Sequence, residues 1–281
     1  MFSGGGKTAV KQKSGVVEMK IIDAHTHIFP AKLAYKASES IGNFYGIPMH
    51  SDASPESLIK LQEELGSERC LVCSSALSPA QVESINNFIA GECEKHPLFL
   101  GLAAMHKDYE NFEAELDRAL SLGLKGVKFH HDMQGFAIDD PKCLPIYEAM
   151  EARGMILLLH MGDARYEFTS PHKLCNIAQM FPKLTIVGAH FGGYSEWDEA
   201  YRMPRFENVY YDTSSSLFMI DKMMALRFID HFGGDRYFFG SDFPMWNPKQ
   251  ELERFLNLGL DEETEKAILY DNFARVFGLN D

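Results

Sequence analysis

The sequence predicts a single (β/α)8 barrel with an extended first βα loop. Short runs rich in Val, Ile, Leu and Phe recur along the chain, and amphipathic stretches separate them, which is the alternation typical of parallel βαβ units. There are eight such runs, and eight strands that are each followed by a helix are the number that closes a barrel. An open, doubly wound sheet is the weaker alternative.

Each predicted element has local signals of its own. The eight runs are short and rich in β-branched and aromatic residues, and they predict strands at residues 20–24, 69–74, 98–103, 125–129, 155–159, 184–189, 208–212 and 236–240. Pro at a first helical position, with Ser or Asp before it, marks several helix starts. The predicted helices cover 55–66, 79–95, 109–122, 141–153, 171–181, 196–206, about 217–231 and a region from 248 onward. Residues 28–54 then form the long first βα loop, placed to cover the site.

The length of 281 residues suits one barrel domain over residues 19–281. Residues 1–18 are rich in Gly, Lys and Ser and lack the apolar core of a signal peptide, which predicts a disordered leader or a remnant of expression. The chain has five cysteines, an odd number in a protein large enough to fold without disulfides. Together these features predict a reduced, cytoplasmic protein.

The charge balance bears on the partners of the protein. Lys and Arg number 27 and Asp and Glu number 40, so the formal net charge is −13. Such a chain is poorly suited to bind nucleic acid or an anionic membrane surface, and no apolar stretch approaches the 20 or so residues that span a bilayer. We therefore expect a small-molecule substrate, and a homodimer only by analogy with other barrels.

Histidines concentrate at the ends of the predicted strands. His25 and His27 end the first strand, His160 follows the fifth, His190 follows the sixth, and Asp242 follows the eighth. Because the active site of a parallel barrel forms at the carboxyl ends of its strands, these side chains should converge there. His25 and His27 are two residues apart on a strand and so face the same side. Imidazole and carboxylate ligands suit Zn²⁺, and also Mn²⁺ or Fe²⁺, which predicts a functional metal site.

Five motifs make a family resemblance specific. They are DAHTH at 23–27, GVKFH at 126–130, HMGD at 160–163, AHFGG at 189–193 and FGSDFP at 239–244. Over about residues 20–277 the chain resembles the amidohydrolase superfamily, above all its branch containing aminocarboxymuconate semialdehyde decarboxylase. The resemblance implies one divalent metal cofactor with His25, His27, His160 and Asp242 as ligands, and His190 assisting the metal-bound water or substrate.

This ligand set implies a metal-dependent hydrolase that acts through activated water on a small, carboxylate-bearing substrate. A bound ion lowers the pKa of water toward neutrality. Asp242 would accept the proton of the water and return it to a leaving group, while His190 would orient the water or polarise a carbonyl. The alternative for His190 is a role as a further metal ligand. The closest alternative activity is non-oxidative decarboxylation by the same site.

Three further residues are predicted to bind substrate: Lys128, His130 and Arg165. Lys128 ends the fourth strand and could pair with a substrate carboxylate, although it could also pair inside the barrel or, as in other branches of the superfamily, be carboxylated and bridge two metals. His130 shares its strand face, and Arg165 could hold a carboxylate bidentately. A less favoured hypothesis is a metal-free lyase in which Lys128 forms a Schiff base.

Overall fold

The computed structural model describes residues 19–279. The leader predicted over residues 1–18 lies outside the described residues, so that prediction is untested. Within the described part of the chain, none of the helices combines the length and the apolar composition needed to cross a membrane.

Parallel strands follow one another in chain order around the molecule. They form two hydrogen-bonded groups, one of three strands and one of six. The strand segments are β1 (Ile22–His27), β2 (Arg69–Cys73), β3 (Phe99–Gly101), β4 (Ala103–Ala104), β5 (Gly126–Phe129), β6 (Ile156–Leu159), β7 (Thr185–Gly188), β8 (Val209–Asp212) and β9 (Tyr237–Phe238). Each of the eight predicted strands coincides with one of these segments or, in the third case, with the pair β3 and β4.

Backbone hydrogen bonds join the two groups into a closed barrel. Leu102 lies between β3 and β4, and its N–H donates to the carbonyl of Val72 in β2 at 3.0 Å, so the two segments are halves of one barrel strand. On the other side, Ala24 N–H donates to Phe239 O and His27 N–H donates to Phe243 O, both at 2.8 Å. The chain after β9 therefore pairs with β1, and the predicted (β/α)8 barrel is confirmed.

Helices follow the strands, and three of them begin at a Pro that the sequence predicts as a first helical residue: Pro55, Pro171 and Pro248. The side chain of Ser54 accepts a hydrogen bond from Ser57 N–H at the start of α2, and Pro55 is its first residue. The helices are α1 (Ala31–Tyr45), α2 (Pro55–Leu65), α3 (Val82–Lys95), α4 (Phe112–Ser121), α5 (His131–Gln134), α6 (Leu144–Ala152), α7 (Pro171–Met180), α8 (Trp197–Ala200), α9 (Lys222–Phe232), α10 (Pro248–Leu256), α11 (Glu262–Lys266) and α12 (Asn272–Phe277). The helix predicted over 196–206 is reduced to the single turn α8.

The first βα connection is long, as predicted, and it contains a helix that the sequence interpretation did not include. This helix, α1, has 15 residues; Pro30 precedes it, and Gly46 ends it with a φ of +69°, which glycine adopts without steric cost. Ala34 and Ser38, one turn apart, are its buried residues. The connection therefore places an ordered helix beside the carboxyl end of the barrel.

The barrel interior is filled by apolar side chains at the end opposite to the strand carboxyl ends. Ile22 and Ile156, near the starts of their strands, belong to one buried cluster with Phe238, Phe273 and Phe277. The rings of Phe273 and Phe277 in α12 contact the ring of Phe238. This packing leaves the polar groups of the chain to gather at the other end.

Candidate active site

The residues predicted at strand ends lie together at the carboxyl end of the barrel. His25 and His27 lie at the end of β1, His160 directly follows β6, His190 lies two residues after β7, and Asp242 lies four residues after β9. All of these except His25 line one cavity. The shared position follows from the parallel order of the strands, since every strand delivers its carboxyl end to the same rim.

Three of these side chains direct potential ligand atoms at one point. His25 Nε2 lies 3.2 Å from His27 Nε2, and Asp242 Oδ1 lies 3.2 Å from His27 Nε2 and 3.7 Å from His25 Nε2. Ligands of one tetrahedral ion at about 2.1 Å would be separated by about 3.4 Å. The three atoms therefore fit a divalent cation without rearrangement of their elements.

The turn after β9 aims the Asp242 carboxylate. Asp242 N–H donates to His25 O at 2.8 Å, and its backbone has a φ of +59°, a conformation uncommon for a residue other than glycine. The Ser215 hydroxyl donates to Asp242 Oδ2. With Oδ2 held in this way, Oδ1 remains directed at the two imidazoles.

A second carboxylate fixes the tautomer of His25. Asp212, the last residue of β8, is fully buried, and its Oδ2 lies 2.8 Å from His25 Nδ1. The other oxygen, Oδ1, accepts from His190 N–H at 3.0 Å and from Ser214 N–H at 3.1 Å. A proton on His25 Nδ1 leaves the Nε2 lone pair free to bind a cation, an arrangement common behind metal-binding histidines.

Burial and charge set the protonation of this group. Burial, with the nearby Lys128 charge, lowers the pKa of His25 to about 4, and neutral imidazole is the form that binds metal. Although burial opposes its ionisation, the neighbouring histidines hold the pKa of Asp242 well below its usual range. Burial disfavours charged His27, yet its contacts with Cys73 and Asp242 raise its pKa to about 9. Metal binding at His27 would therefore release a proton.

His160 lies in a neighbouring group rather than beside His25, His27 and Asp242. Among residues 19–279, the ligand atoms that approach His160 within 4.8 Å as a possible metal group are those of His130 and Asp132. The His130 and His160 rings stack with centroids 4.0 Å apart. Asp132 Oδ2 accepts from the Thr169 hydroxyl at 2.6 Å and lies 3.6 Å from His160 Nε2.

A chain of hydrogen bonds fixes the tautomers of His190 and His160. His190 Nδ1 lies 3.0 Å from Ser214 O and 2.9 Å from Ser214 Oγ, whose own proton is donated to Asp212 Oδ1. Both atoms of Ser214 must therefore accept, and the proton sits on His190 Nδ1. His190 Nε2 then accepts from His160 Nδ1 at 2.9 Å. As a result His160 Nε2 carries a lone pair.

The three predicted substrate-binding residues have different surroundings. His130 lines the cavity, and its Nε2 lies 2.7 Å from the hydroxyl of Tyr45. Lys128 is fully buried, with Nζ 3.2 Å from His25 Nε2, and it does not line the cavity. Arg165 binds the carboxylate of Asp163 through Nε and Nη2, so its fork already holds a carboxylate of the protein itself.

The family model of the amidohydrolases matches residues 22–279 of this chain, which is almost the whole of the described part. The chain belongs to the amidohydrolase family. Its members are metal-dependent hydrolases and decarboxylases, and this chain is such an enzyme. The match includes all five motifs that carried the resemblance.

Solved structures share the barrel of this amidohydrolase at low sequence identity. An uncharacterized TIM-barrel protein from Bordetella bronchiseptica is 21% identical with a TM-score of 0.73, over 92% of this chain and 99% of that one. A dihydroxybenzoic acid decarboxylase from Polaromonas, solved with manganese and the inhibitor 2-nitroresorcinol, is 18% identical with a TM-score of 0.72, over 94% and 98%. A probable 2-pyrone-4,6-dicarboxylic acid hydrolase from Acinetobacter baumannii, with citric acid bound, is 16% identical with a TM-score of 0.69, over 93% and 100%.

Two residues of this amidohydrolase site were missed by the sequence analysis. Asp212 ends the seventh predicted strand, and that position was the signal that could have included it. Tyr45 is the last residue of α1, and its hydroxyl lies 2.7 Å from His130 Nε2 and 3.4 Å from His160 Nε2. The segment that contains Tyr45 was taken as a loop, so the sequence offered no face on which to place its side chain.

Proposed function

We propose that this protein is a metal-dependent hydrolase that uses activated water on a small, carboxylate-bearing substrate. The observation that carries the proposal is the convergence of His25 Nε2, His27 Nε2 and Asp242 Oδ1 at the wall of a cavity. Two imidazoles, with His27 giving up its proton on binding, form a donor set for a divalent cation together with an ionised carboxylate.

His25, His27 and Asp242 would hold the ion, and His160 would join them as the third imidazole if its ring turned away from His130 and Asp132. A divalent ion there supplies Lewis acidity, which polarises a substrate carbonyl and lowers the pKa of water. Zn²⁺ suits this mixture of nitrogen and oxygen ligands best, and Mn²⁺ and Fe²⁺ are the alternatives. The Polaromonas decarboxylase with bound manganese supports keeping Mn²⁺ among them.

Asp242 and His190 would handle the proton of the attacking water. Asp242 lines the cavity, and its Oδ1, which lies 3.2 Å from His27 Nε2, would accept and return the proton because Oδ2 is bound by Ser215. His190 carries its proton on Nδ1 and its Nε2 accepts from His160 Nδ1, so His190 would orient water once the water takes the place of that contact. Polarising a carbonyl would need protonated His190, and burial lowers the pKa of this residue, which favours the orienting role.

The lining of the cavity is largely apolar. His130 and Tyr45 contribute polar groups to it, and Phe29, Ile41 and Met133 contribute apolar ones. We propose that His130 contacts the substrate directly. Lys128, which is buried against His25, would act on substrate only through its charge, and the proposed bidentate role of Arg165 conflicts with its bonds to Asp163.

A decarboxylase is the second candidate, and the composition of the cavity favours it. Among residues 19–279, no Lys or Arg lines this cavity. A substrate carboxylate there would be poorly solvated, and loss of neutral CO₂ relieves that cost. Asp242 or His190 would first take a proton from water or from a hydroxyl group of the substrate and would then deliver it to the carbon that is left behind.

The Schiff-base lyase is disfavoured by the position of Lys128. A carbonyl substrate must reach the amine to form the covalent bond. Lys128 has no exposed surface, and its Nζ contacts His25 Nε2. Borohydride trapping of a substrate on Lys128 that chelators do not affect would restore this hypothesis.

The test is an assay of the metal-loaded protein on two groups of compounds: carboxylated lactones and amides, including 2-pyrone-4,6-dicarboxylate, and hydroxybenzoates, including 2,6-dihydroxybenzoate. We expect hydrolysis that Asp242→Asn abolishes, whereas Asp221→Asn, at a helix cap that does not line the cavity, leaves it unchanged. Release of CO₂ without hydrolysis would select the decarboxylase, and no turnover in either group would contradict both.

Three coarser proposals accompany this one. All five cysteines are free, which supports a protein that works in a reducing compartment such as the cytoplasm. The barrel domain is proposed to extend over residues 19–281. A homodimer is proposed by analogy with other barrels alone.

A further inference from the structure

Helix α1 presents one face to the cavity. Ala37, Ile41 and Tyr45, spaced four residues apart, all line it, as expected for one side of a helix. Tyr35, on the opposite side of α1, is 69% exposed. The helix is therefore a wall of the site on one side and protein surface on the other.

The end of α1 brings a hydroxyl group to the polar part of this cavity. Tyr45 is the last helical residue, and its OH is 2.7 Å from His130 Nε2 and 3.4 Å from His160 Nε2. A phenol at this point can donate to, or accept from, an oxygen atom of a substrate. A small change in the position of the helix end would remove it from reach.

Helix α1 is held by side chains and by the loop that follows it, where Ser38 Oγ donates to Ser51 O at 2.7 Å. Among residues 19–279, α1 packs closely along none of the other helices or strands at the level of the backbone. Its carboxyl end is held by side chains instead: Arg165 Nη1 donates to Phe44 O at 2.5 Å, and the rings of Phe44 and Tyr166 stack at 5.6 Å. The Arg165 guanidinium also lies over the ring of Tyr45, 5.4 Å from its centroid.

Arg165 is itself anchored to the barrel. Its Nε and Nη2 donate to Asp163 at 3.0 and 2.6 Å, and Asp163 is only 1% exposed. A bidentate pair to a buried carboxylate fixes the plane of the guanidinium. The third nitrogen is thereby aimed at the carbonyl of Phe44, so the bonds run from the strand-end loop to the end of α1.

We infer that Tyr45 is a substrate-contacting residue, and that Arg165 is a positioning residue which latches the end of α1 over the site. This rests on the proposed function for the substrate contact, whereas the latch does not depend on it. Arg165 thus acts on the reaction through Tyr45 rather than by binding a substrate carboxylate. Loss of the latch frees the helix end and displaces the hydroxyl.

Hydrogen exchange of the metal-loaded full chain tests the latch without any substrate. A hydrogen bond from a charged group is strong enough that Arg165→Gln should speed amide exchange in residues 38–46 by about ten- to a hundredfold. Arg153→Gln is the matched control, because Arg153 makes the same kind of contacts, to the Asp117 carboxylate and the Ala149 carbonyl. It should leave exchange of that segment unchanged.

Arg165→Lys is a second variant that controls for misfolding of Arg165→Gln. Lysine keeps the charge but cannot bind Asp163 bidentately and reach Phe44 at once, so exchange should lie between wild type and Arg165→Gln while circular dichroism is unchanged. Wild-type exchange of residues 38–46 in both folded variants would overturn the latch.

Kinetics test the role of Tyr45 on the compound that the assay above identifies. Tyr45→Phe should lower kcat/KM by about tenfold or more without changing exchange of α1, and Tyr35→Phe, on the exposed side of the same helix, should have no effect. Because Arg165 acts through Tyr45, adding Arg165→Gln to Tyr45→Phe should cost much less than it costs in the wild type.

The outcomes separate the two proposals. Fully additive effects of Tyr45→Phe and Arg165→Gln would mean that Arg165 binds substrate directly and would overturn the inference. Unchanged kcat/KM in Tyr45→Phe would remove Tyr45 from the site. Faster exchange in Arg165→Gln, together with no turnover of any compound, would reject the proposed function while leaving the latch intact.

Discussion

Among the single contacts of the site, the one between Asp212 and His25 has the most direct effect on metal binding. Asp212 Oδ2 lies 2.8 Å from His25 Nδ1, and both side chains are buried. The carboxylate fixes the imidazole plane and increases the basicity of Nε2. It also accepts from two backbone N–H groups, those of His190 and Ser214, so one residue links the ends of three strands.

Asp212→Asn should therefore weaken metal binding while the ligands themselves stay in place. Asparagine retains the shape but has one acceptor oxygen, so either His25 Nδ1 or the N–H groups of His190 and Ser214 lose their acceptor, and the negative charge is lost as well. We expect a loss of about 10- to 100-fold in affinity for Zn²⁺ or Mn²⁺, measured by competition with a fluorescent chelator. Asp221→Asn, at the amino end of α9, is the control. Equal affinities in the wild type and a folded Asp212→Asn would contradict this role.

Some residues of the site were predictable because their positions follow from strand order alone. His25, His27 and Asp242 lie at or just after strand ends. The order of the parallel strands therefore predicts that they share one rim of the barrel. His160 lies apart from them because its Nδ1 contacts His190 Nε2 at 2.9 Å, and no spacing in the sequence predicts that contact. For the same reason the Arg165 side chain was expected to face substrate, whereas Asp163, two residues earlier, binds it.

At the level of elements, the close approach of β5 and β6 restricts what β5 can contain. Gly126 pairs with Ile156 across the two strands. A Cβ at residue 126 would collide with the carbonyl of Ile156, which belongs to the backbone and has little freedom to move. Glycine at position 126 therefore allows β5 to lie close to β6, and this approach sets the positions of Lys128 and Phe129 in β5.

Gly126→Ala should destabilise the protein by about 2 kcal/mol or more, because the strand must shift to relieve the contact. Gly91→Ala in α3 is the matched control: a Cβ there meets no atom within 4 Å, and alanine favours a helix over glycine by up to about 1 kcal/mol. Denaturant unfolding measures both changes. A Gly126→Ala protein as stable as the wild type would show that β5 and β6 adapt freely.

The elements of the barrel were predictable because periodicity and caps are local signals, as the match of all eight strands shows. Helix α1 differs in this respect. Its apolar face is narrow, Gly42 interrupts it, and its contacts come from Arg165 and Tyr166, more than 120 residues later in the chain. Tertiary contacts rather than local preference stabilise such a helix, so the sequence indicated only a long connection.

At the scale of the whole molecule, buried carboxyl groups couple stability to pH. Glu251 in α10 is 1% exposed, burial raises its pKa to about 7 from an ordinary value of 4.5, and Arg254 is its ion-pair partner. Between those two values the folded state binds more protons than the unfolded state. The free energy of unfolding that Glu251 contributes is thus complete below pH 4.5 and is lost as the pH rises through about 7.

Glu251→Gln should remove this dependence. Relative to the wild type, we expect the variant to gain at least about 1 kcal/mol in the free energy of unfolding between acidic pH and neutrality, since each pKa unit corresponds to about 1.4 kcal/mol. Urea unfolding over a pH series measures the difference, and Glu63→Gln, at an exposed position of α2, is the control. If the free energy of unfolding changed with pH in the same way for Glu251→Gln and the wild type, the raised pKa of Glu251 would be contradicted.

The central claim is that His25, His27 and Asp242 hold a divalent metal. Elemental analysis of protein purified without chelators or a metal-affinity column tests it most directly, with His27→Ala and Asp242→Asn measured beside the wild type. We expect about one equivalent of zinc or manganese per wild-type chain, lost in both variants; about two equivalents would favour a carboxylated, bridging Lys128. A wild-type chain that takes up no metal even after it is added back, or folded variants that keep the full equivalent, would contradict the claim.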